Sequence, residues 1–273
     1  MADAPTDTST TTGADARHLL ADAVADAARE AAAMAMARWR TDFARTEKSD
    51  GSPVCEVDLD VDRMLHARLR ALLPDAGWLS EETADSAERL SARRVWVVDP
   101  IDGTRDYIRG RAGWCVSVAL VEDGRVVIAV LDAPARGEVW RAVAGGGATL
   151  NGAVLRAGRR DAITGARVPA DVLPRVDRDL VAVEKPNSIA LRMAMVAADR
   201  ADLVATMRWG NEWDIAAAAL VAQEAGARVS DALGAPLLFN KPQPRAFGVL
   251  TSTHGLHAAA VARLAERAKA VIR

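Results

Sequence analysis

The sequence predicts an α/β fold, on three observations. The apolar run Val95-Trp96-Val97-Val98 breaks off in the turn Asp99-Pro100-Ile101-Asp102-Gly103-Thr104, the kind of strand end where α/β proteins gather their chemistry. Two β-rich runs, 115–121 and 125–132, are joined by Glu122-Asp123-Gly124, a hairpin signal. Beyond residue 150, helical and strand patterns alternate in longer units.

Taken in order, residues 1–13 read as a short disordered tail. Residues 14–40 are Ala-rich, with Leu20, Val24, Ala27, Ala31 and Met34 at helical spacing, which predicts a long amphipathic helix. Asp50-Gly51-Ser52-Pro53 is a turn. Val61, Met64, Leu65, Leu69 and Leu72 then mark a second helix that stops before Pro74, with Asp58 to Asp62 at its N-terminal end, where the helix dipole favours carboxylates. After the strand at 95–98 and the hairpin, residues 138–143 make a further strand, so this half carries an antiparallel sheet. Gly145-Gly146-Gly147 and Asn151-Gly152 punctuate the chain, which puts a domain boundary near residue 150: an N-terminal α+β domain over 14–150 and a C-terminal α/β domain over 151–273. In the second half, 189–198, 213–225 and 256–270 read as helices, and 202–206 and 247–251 as strands.

The chain has 273 residues, half of them hydrophobic, enough for a sizeable core. Its 37 acidic and 35 basic residues leave a formal charge of -2, so no overall field draws nucleic acid or an anionic membrane, and an anionic substrate must be captured locally. No apolar run reaches spanning length and no basic or hydrophobic leader is visible, which suggests a cytoplasmic protein without a membrane span. Cys55 and Cys115 lack a metal-ligand spacing and read as buried thiols. The four histidines have no nucleophile beside them, the triple glycine lacks the Lys-Ser/Thr of a phosphate loop, and the seven tryptophans read as core anchors.

Asp99 and Asp102 lie on one proline-stiffened turn. Two carboxylates so close repel unless a hard cation sits between them, and Mg²⁺ suits oxygen-only ligands while leaving room for substrate phosphate. Ser80-Glu81-Glu82, Asp58 and Trp213-Asp214 add carboxylates in short, unusual contexts. Each alone could be a solvated acid or a helix cap.

Together these segments resemble the signatures of the inositol monophosphatase superfamily. Trp96 to Thr104 looks like its first signature, Trp213-Asp214-Ile215-Ala216-Ala217 with Glu224-Ala225-Gly226 like its second, residues 50–58 like its upstream metal segment, and Ser80-Glu81-Glu82 like its glutamate motif. Cys55 stands where the family usually has threonine. The resemblance implies a layered αβαβα sandwich with the site between the two domains. It also implies two or three Mg²⁺ ions held by Glu81, Asp99, Asp102, Asp214, the carbonyl of Ile101 and Asp58. Glu81 and Thr104 would orient the attacking water, and Gly103 and Thr104 would meet the phosphate. Inhibition by Li⁺ is a further implication, and a homodimer is compatible with it.

Within the superfamily, Arg105-Asp106-Tyr107-Ile108 is similar to the 3'(2'),5'-bisphosphate nucleotidases, and so are residues 188–192 and 212–214. This implies hydrolysis of 3'-phosphoadenosine 5'-phosphate or a similar small-molecule phosphate ester, with Arg192 and Arg208 on the second phosphate. An inositol-1-monophosphatase or related sugar phosphatase is the alternative, and a catalytically silent phosphate-ligand-binding protein is the alternative of another class.

Overall fold

Alternation along the central strands decides the architecture. The computed structural model describes residues 9–42, 45–47 and 53–272. Its helices are α1 (Ser9–Arg38), α2 (Glu56–Leu72), α3 (Thr104–Ile108), α4 (Ile189–Ala197), α5 (Glu212–Glu224) and α6 (His257–Ile272). β1 (Arg45–Glu47) and β2 (Pro53–Cys55) form a small antiparallel ribbon. The main sheet runs in sequence order through β3 (Gly77–Ser80), β4 (Arg94–Asp102), β5 (Cys115–Glu122), β6 (Arg125–Ala133), β7 (Glu138–Val143), β8 (Gly147–Leu150) and β9 (Ala153–Val154). Only the β3–β4 pair is parallel; the other neighbours in this sheet are antiparallel.

In β4, Trp96 and Val98 join the apolar cluster of α1 and α2, whereas Val95 and Val97 join that of α4 and α5. Successive side chains on a strand point to opposite faces, so a sheet buried on both sides reads as the continuous apolar run seen in the sequence. β12 (Leu203–Ala205), β16 (Leu250–Ser252) and β14 (Arg228–Ser230) make a second sheet. Here Val204 joins the α4/α5 cluster, while Leu203 and Leu250 pack with Leu256, Ala260 and Leu264 of the α6 region. The result is five layers, αβαβα. β10 (Arg167–Pro169) pairs in parallel with β11 (Val181–Val183), and β13 (Trp209–Asn211) pairs with β15 (Arg245–Phe247). The cluster between the main sheet and α4/α5 holds Leu131 and Ala218 alike, so residues on both sides of position 150 share it.

Four local readings are corrected. α1 begins at Ser9, ahead of the expected start at 14, and residues 1–8 lie outside the described residues. Met34 is 38% exposed; the buried stripe runs through Ala28, Ala31, Ala32 and Ala35, because an alanine-rich helix can pack on a face that larger residues do not mark. The main sheet runs past position 150, where the sequence puts a boundary: Asn151 and Gly152, both at positive φ, turn a last hairpin between β8 and β9. The strand expected over 247–251 is two strands interrupted at Gly248, where φ is +66°. Residues 50–52 of the expected turn lie outside the described residues, and Pro53 opens β2.

Candidate active site

The end of β4 organises the site. β3 runs beside β4 with Ser80 opposite Val98, and the Glu81 N–H donates to the Val98 carbonyl at 3.3 Å, so Glu81 is held next to Asp99. Pairing with β5 shifts between Asp99 and Asp102, where proline cannot donate to the ladder. The Asp99 Oδ1 accepts from the Ile101 N–H at 3.0 Å. From the second half of the chain, α5 brings Asp214 in its first turn, where the Asp214 Oδ2 accepts from the Asn211 N–H at 3.1 Å. Carboxylate oxygens of Glu81, Asp99 and Asp214 lie within 4.8 Å of one another.

Asp102 lines the same cleft of about 210 Å³. The Asp102 Oδ2 accepts from the Ser188 hydroxyl, and from the Ala190 N–H at 2.8 Å. Ser188, fully buried, in turn accepts from the Leu191 N–H at 2.9 Å. The start of α4 is thus fastened to the turn that carries Asp102. Gly103 makes this approach feasible: its φ is +96°, and a Cβ there would meet the Gly113 carbonyl at 2.6 Å and the Ser188 nitrogen at 2.9 Å.

Burial raises the Asp99 carboxyl well above its ordinary range, and the charges of Glu81, Asp102 and Asp214 add to the shift. Burial raises Asp214 likewise, helped by Asp102 and Glu81. Asp102 is pushed up to about 6 by burial, against the opposing pull of Ser188, the Ala190 N–H and Arg192. Arg105, Arg192 and Arg208 also line the cleft. Among the described residues none of the three hydrogen-bonds to a carboxylate of the cluster; Arg192 donates to the Pro186 carbonyl at 2.7 Å and to the Asn187 carbonyl at 2.5 Å. Among the described residues neither Asp99 nor Asp214 has a cation in contact, neighbouring carboxylates raise the cost of charging each, and every donor in the group is oxygen. That donor set fits a hard divalent ion.

The other expected residues fall as follows. Gly103 and Thr104 line the cleft. The Thr104 hydroxyl donates to the Ile101 carbonyl at 3.0 Å; that oxygen retains a second lone pair. Arg192 is half-buried and Arg208 exposed on the cleft wall. Asp58 is not in the three-carboxylate group. Buried in the first turn of α2, its Oδ2 accepts from the Cys55 N–H at 2.8 Å, although its charge still reaches Asp99. Sequence reasoning missed Ser188 as the partner of Asp102 and Asn211 as a cleft residue; Asn187, read with Lys185 and Pro186 as able to line the substrate pocket, does line the cleft. Ser188 fell in the stretch 188–192 that resembles the nucleotidase branch, but its contact with Asp102 had no signal beyond its fitness as an N-cap ahead of an apolar helix.

Comparison with known proteins fits this geometry. A family model described as the inositol monophosphatase family matches residues 16–270. The Nus factor SuhB of Xylella fastidiosa is 36% identical over 204 residues, covering 69% of this chain and 72% of that protein. The 3'(2'),5'-bisphosphate nucleotidase CysQ of Escherichia coli is 32% identical over 201 residues, covering 70% and 80%. The solved structure of a Thermotoga maritima IMPase matches with a TM-score of 0.78 at 28% identity, covering 90% of this chain and 97% of that one.

Proposed function

The chain belongs to the inositol monophosphatase family and is a phosphatase of that family; from that premise we propose that it is a Mg²⁺-dependent phosphomonoesterase acting on a 3'(2'),5'-bisphosphate such as 3'-phosphoadenosine 5'-phosphate. One observation carries the reading: carboxylate oxygens from three distant segments meet within 4.8 Å, in a cleft that also presents Arg192 and Arg208.

Glu81, Asp99, Asp102, Asp214 and the Ile101 carbonyl would hold the cation, with Asp58 supporting them from α2. When bound, a divalent cation supplies Lewis-acid stabilisation of phosphoryl charge and an acidified water. The chain's own groups do the rest. The Thr104 hydroxyl spends its hydrogen on the Ile101 carbonyl, so its oxygen is left to accept one from a water in the cleft. Glu81, half-buried at the edge of the cluster, takes up the proton that this water loses. Gly103 and Thr104 border the position of the scissile phosphate. Arg192, tied to two carbonyls, and Arg208, exposed on the rim, receive the second phosphate.

No helix among the described residues is long and apolar enough to cross a membrane, and both cysteines are unpaired and buried, which supports a reducing, cytoplasmic setting. A polyol monophosphate is the second reading, favoured by the likeness to the Thermotoga IMPase. Phosphate release from 3'-phosphoadenosine 5'-phosphate and from inositol 1-phosphate at one Mg²⁺ concentration separates the two. The nucleotide should show the higher kcat/KM, and Arg208→Ala should lower that value alone by about tenfold, as for a charge-assisted hydrogen bond. Equal or better turnover of inositol phosphate would sink the nucleotidase assignment.

A further inference from the structure

A separate pocket of about 280 Å³ opens on the far side of Arg192, lined by Arg109, Arg111 and Lys185 as well as by Asn187 and Arg192 of the cleft wall. Its carboxylates are already engaged. Glu184 accepts two hydrogen bonds from Arg136, at 2.7 and 3.2 Å. Asp171 accepts from Lys185 at 2.5 Å, and Asp106 accepts from the Asn187 N–H at 3.0 Å. Among the described residues, neither Arg109 nor Arg111 pairs with any carboxylate. Two guanidiniums therefore border a cavity with their charge uncommitted, a surplus that a tetrahedral oxyanion would balance.

The loop that carries them is fastened on both sides. Arg40 donates to the Gly110 carbonyl through Nε at 3.0 Å and Nη2 at 2.9 Å. The Arg111 N–H donates to the Asp106 carbonyl at 2.8 Å, and the Ser188 N–H donates to the Gly113 carbonyl at 2.9 Å. Gly113 packs so closely that a Cβ would lie 2.0 Å from the Asp106 Oδ2. The tethered backbone fixes where both arginine side chains start, and a ligand has only those exposed side chains left to order. Lys185 lowers the Asp171 carboxyl, and Arg192 and Arg111 lower it further, so these cations direct their charge into the same space.

We propose that this pocket is a second oxyanion site, in which Arg109 and Arg111 hold a phosphate or sulfate group away from the carboxylate cluster. The oxyanion is either the substrate's distal phosphate, which would then reach past Arg192 and lie here rather than at Arg208, or a free ion. Only the first assignment rests on the phosphatase reading; the pocket's affinity for oxyanions does not.

The test is calorimetric titration of sulfate into the full chain with chelator present, against chloride at matched ionic strength, for wild type, Arg109→Ala/Arg111→Ala and Arg109→Lys/Arg111→Lys. Saturable sulfate binding in the wild type, at least about tenfold weaker in the alanine pair and partly kept by the lysine pair, is the expected result. Circular dichroism confirms that each variant is folded. A second arm compares KM for 3'-phosphoadenosine 5'-phosphate with KM for p-nitrophenyl phosphate in each variant. A ratio that rises with the loss of sulfate binding assigns the site to the substrate's distal phosphate, and an unchanged ratio assigns it to a free oxyanion. Sulfate binding no tighter than chloride in the wild type, or undiminished in the alanine pair, overturns the proposal. Absence of any phosphomonoester turnover in the wild type would instead count against the phosphatase reading and leave the sulfate result standing as its own test.

Discussion

Two groups of buried carboxylates in this molecule have opposite electrostatic fates. Asp202, 1% exposed, would be raised by burial, yet Arg167 and Arg160 hold it below the ordinary carboxylate range. Arg167 reaches it through Nε at 3.0 Å and Nη2 at 2.7 Å, and Arg160 through Nε at 3.1 Å. Asp99, just as buried, has no such partner among the described residues, and its neighbours Glu81, Asp102 and Asp214 push it up. A buried carboxylate with its arginines in place is complete as it stands. One surrounded by other carboxylates calls for a cation from outside the chain, which marks it as a site.

The largest effects should break this contrast outright. Asp99→Asn should lower Mg²⁺-supported phosphomonoester turnover by about a thousandfold, roughly 4 kcal/mol of transition-state stabilisation, without loss of folding. Asp202→Ala should do the reverse. It leaves two guanidiniums without their buried partner, at about 3 kcal/mol, so thermal unfolding should fall by roughly 10 °C while turnover of the folded protein stays near the wild-type value. Turnover measured beside a melting curve checks both.

The contrast has a pH signature of the same sign logic. Asp99, Asp102 and Asp214 have raised carboxyls, so the folded chain binds more protons there than the unfolded chain, and without a cation they cost stability as pH rises. For Asp102 the cost grows between its ordinary value and about 6 and is complete above that, up to about 3 kcal/mol. Asp202 behaves oppositely, its contribution being lost as pH falls. In chelator, lowering the pH from about 7.5 to about 5.5 should stabilise wild type relative to Asp99→Asn/Asp214→Asn by several degrees, and saturating Mg²⁺ should shrink that difference. Identical pH profiles for the two proteins would remove the electrostatic argument. The smallest effect concerns position. Ser188→Ala should weaken divalent-cation affinity about tenfold, as loss of a hydrogen bond to a ligand does, and Ser188→Thr should restore most of it.

The same contrast explains what could be read from the chain. Asp99 and Asp102 were legible because both acids sit on one turn at the end of an apolar strand, a local pattern. Asp214 was legible only in company, since by itself it reads as the cap of α5. The layered fold followed from the resemblance, and the strand periods agreed with it. Ser188 was hidden because its partner Asp102 lies 86 residues away and nothing local distinguishes this serine from an ordinary helix cap. The last hairpin was hidden because β8 and the edge strand β9 are short and bracketed by glycines, which read as punctuation between units. The stripe on α1 was misjudged at Met34 because alanines on all sides leave the helix without a marked face. Arg192 and Arg208 were proposed from motif position alone; both do line the cleft with the carboxylates.

The central claim is that Glu81, Asp99, Asp102 and Asp214 crowd their negative charge into one site that a divalent cation fills. Titrating Mg²⁺ into chelator-treated protein at about pH 7.5, with the melting temperature and the heat of binding as readouts, tests it most directly. The account predicts saturable binding with a rise in melting temperature in the wild type, and the loss of both in Asp99→Asn/Asp214→Asn. A wild-type protein whose melting temperature and binding heat ignore Mg²⁺, or a double variant that responds equally, would contradict it.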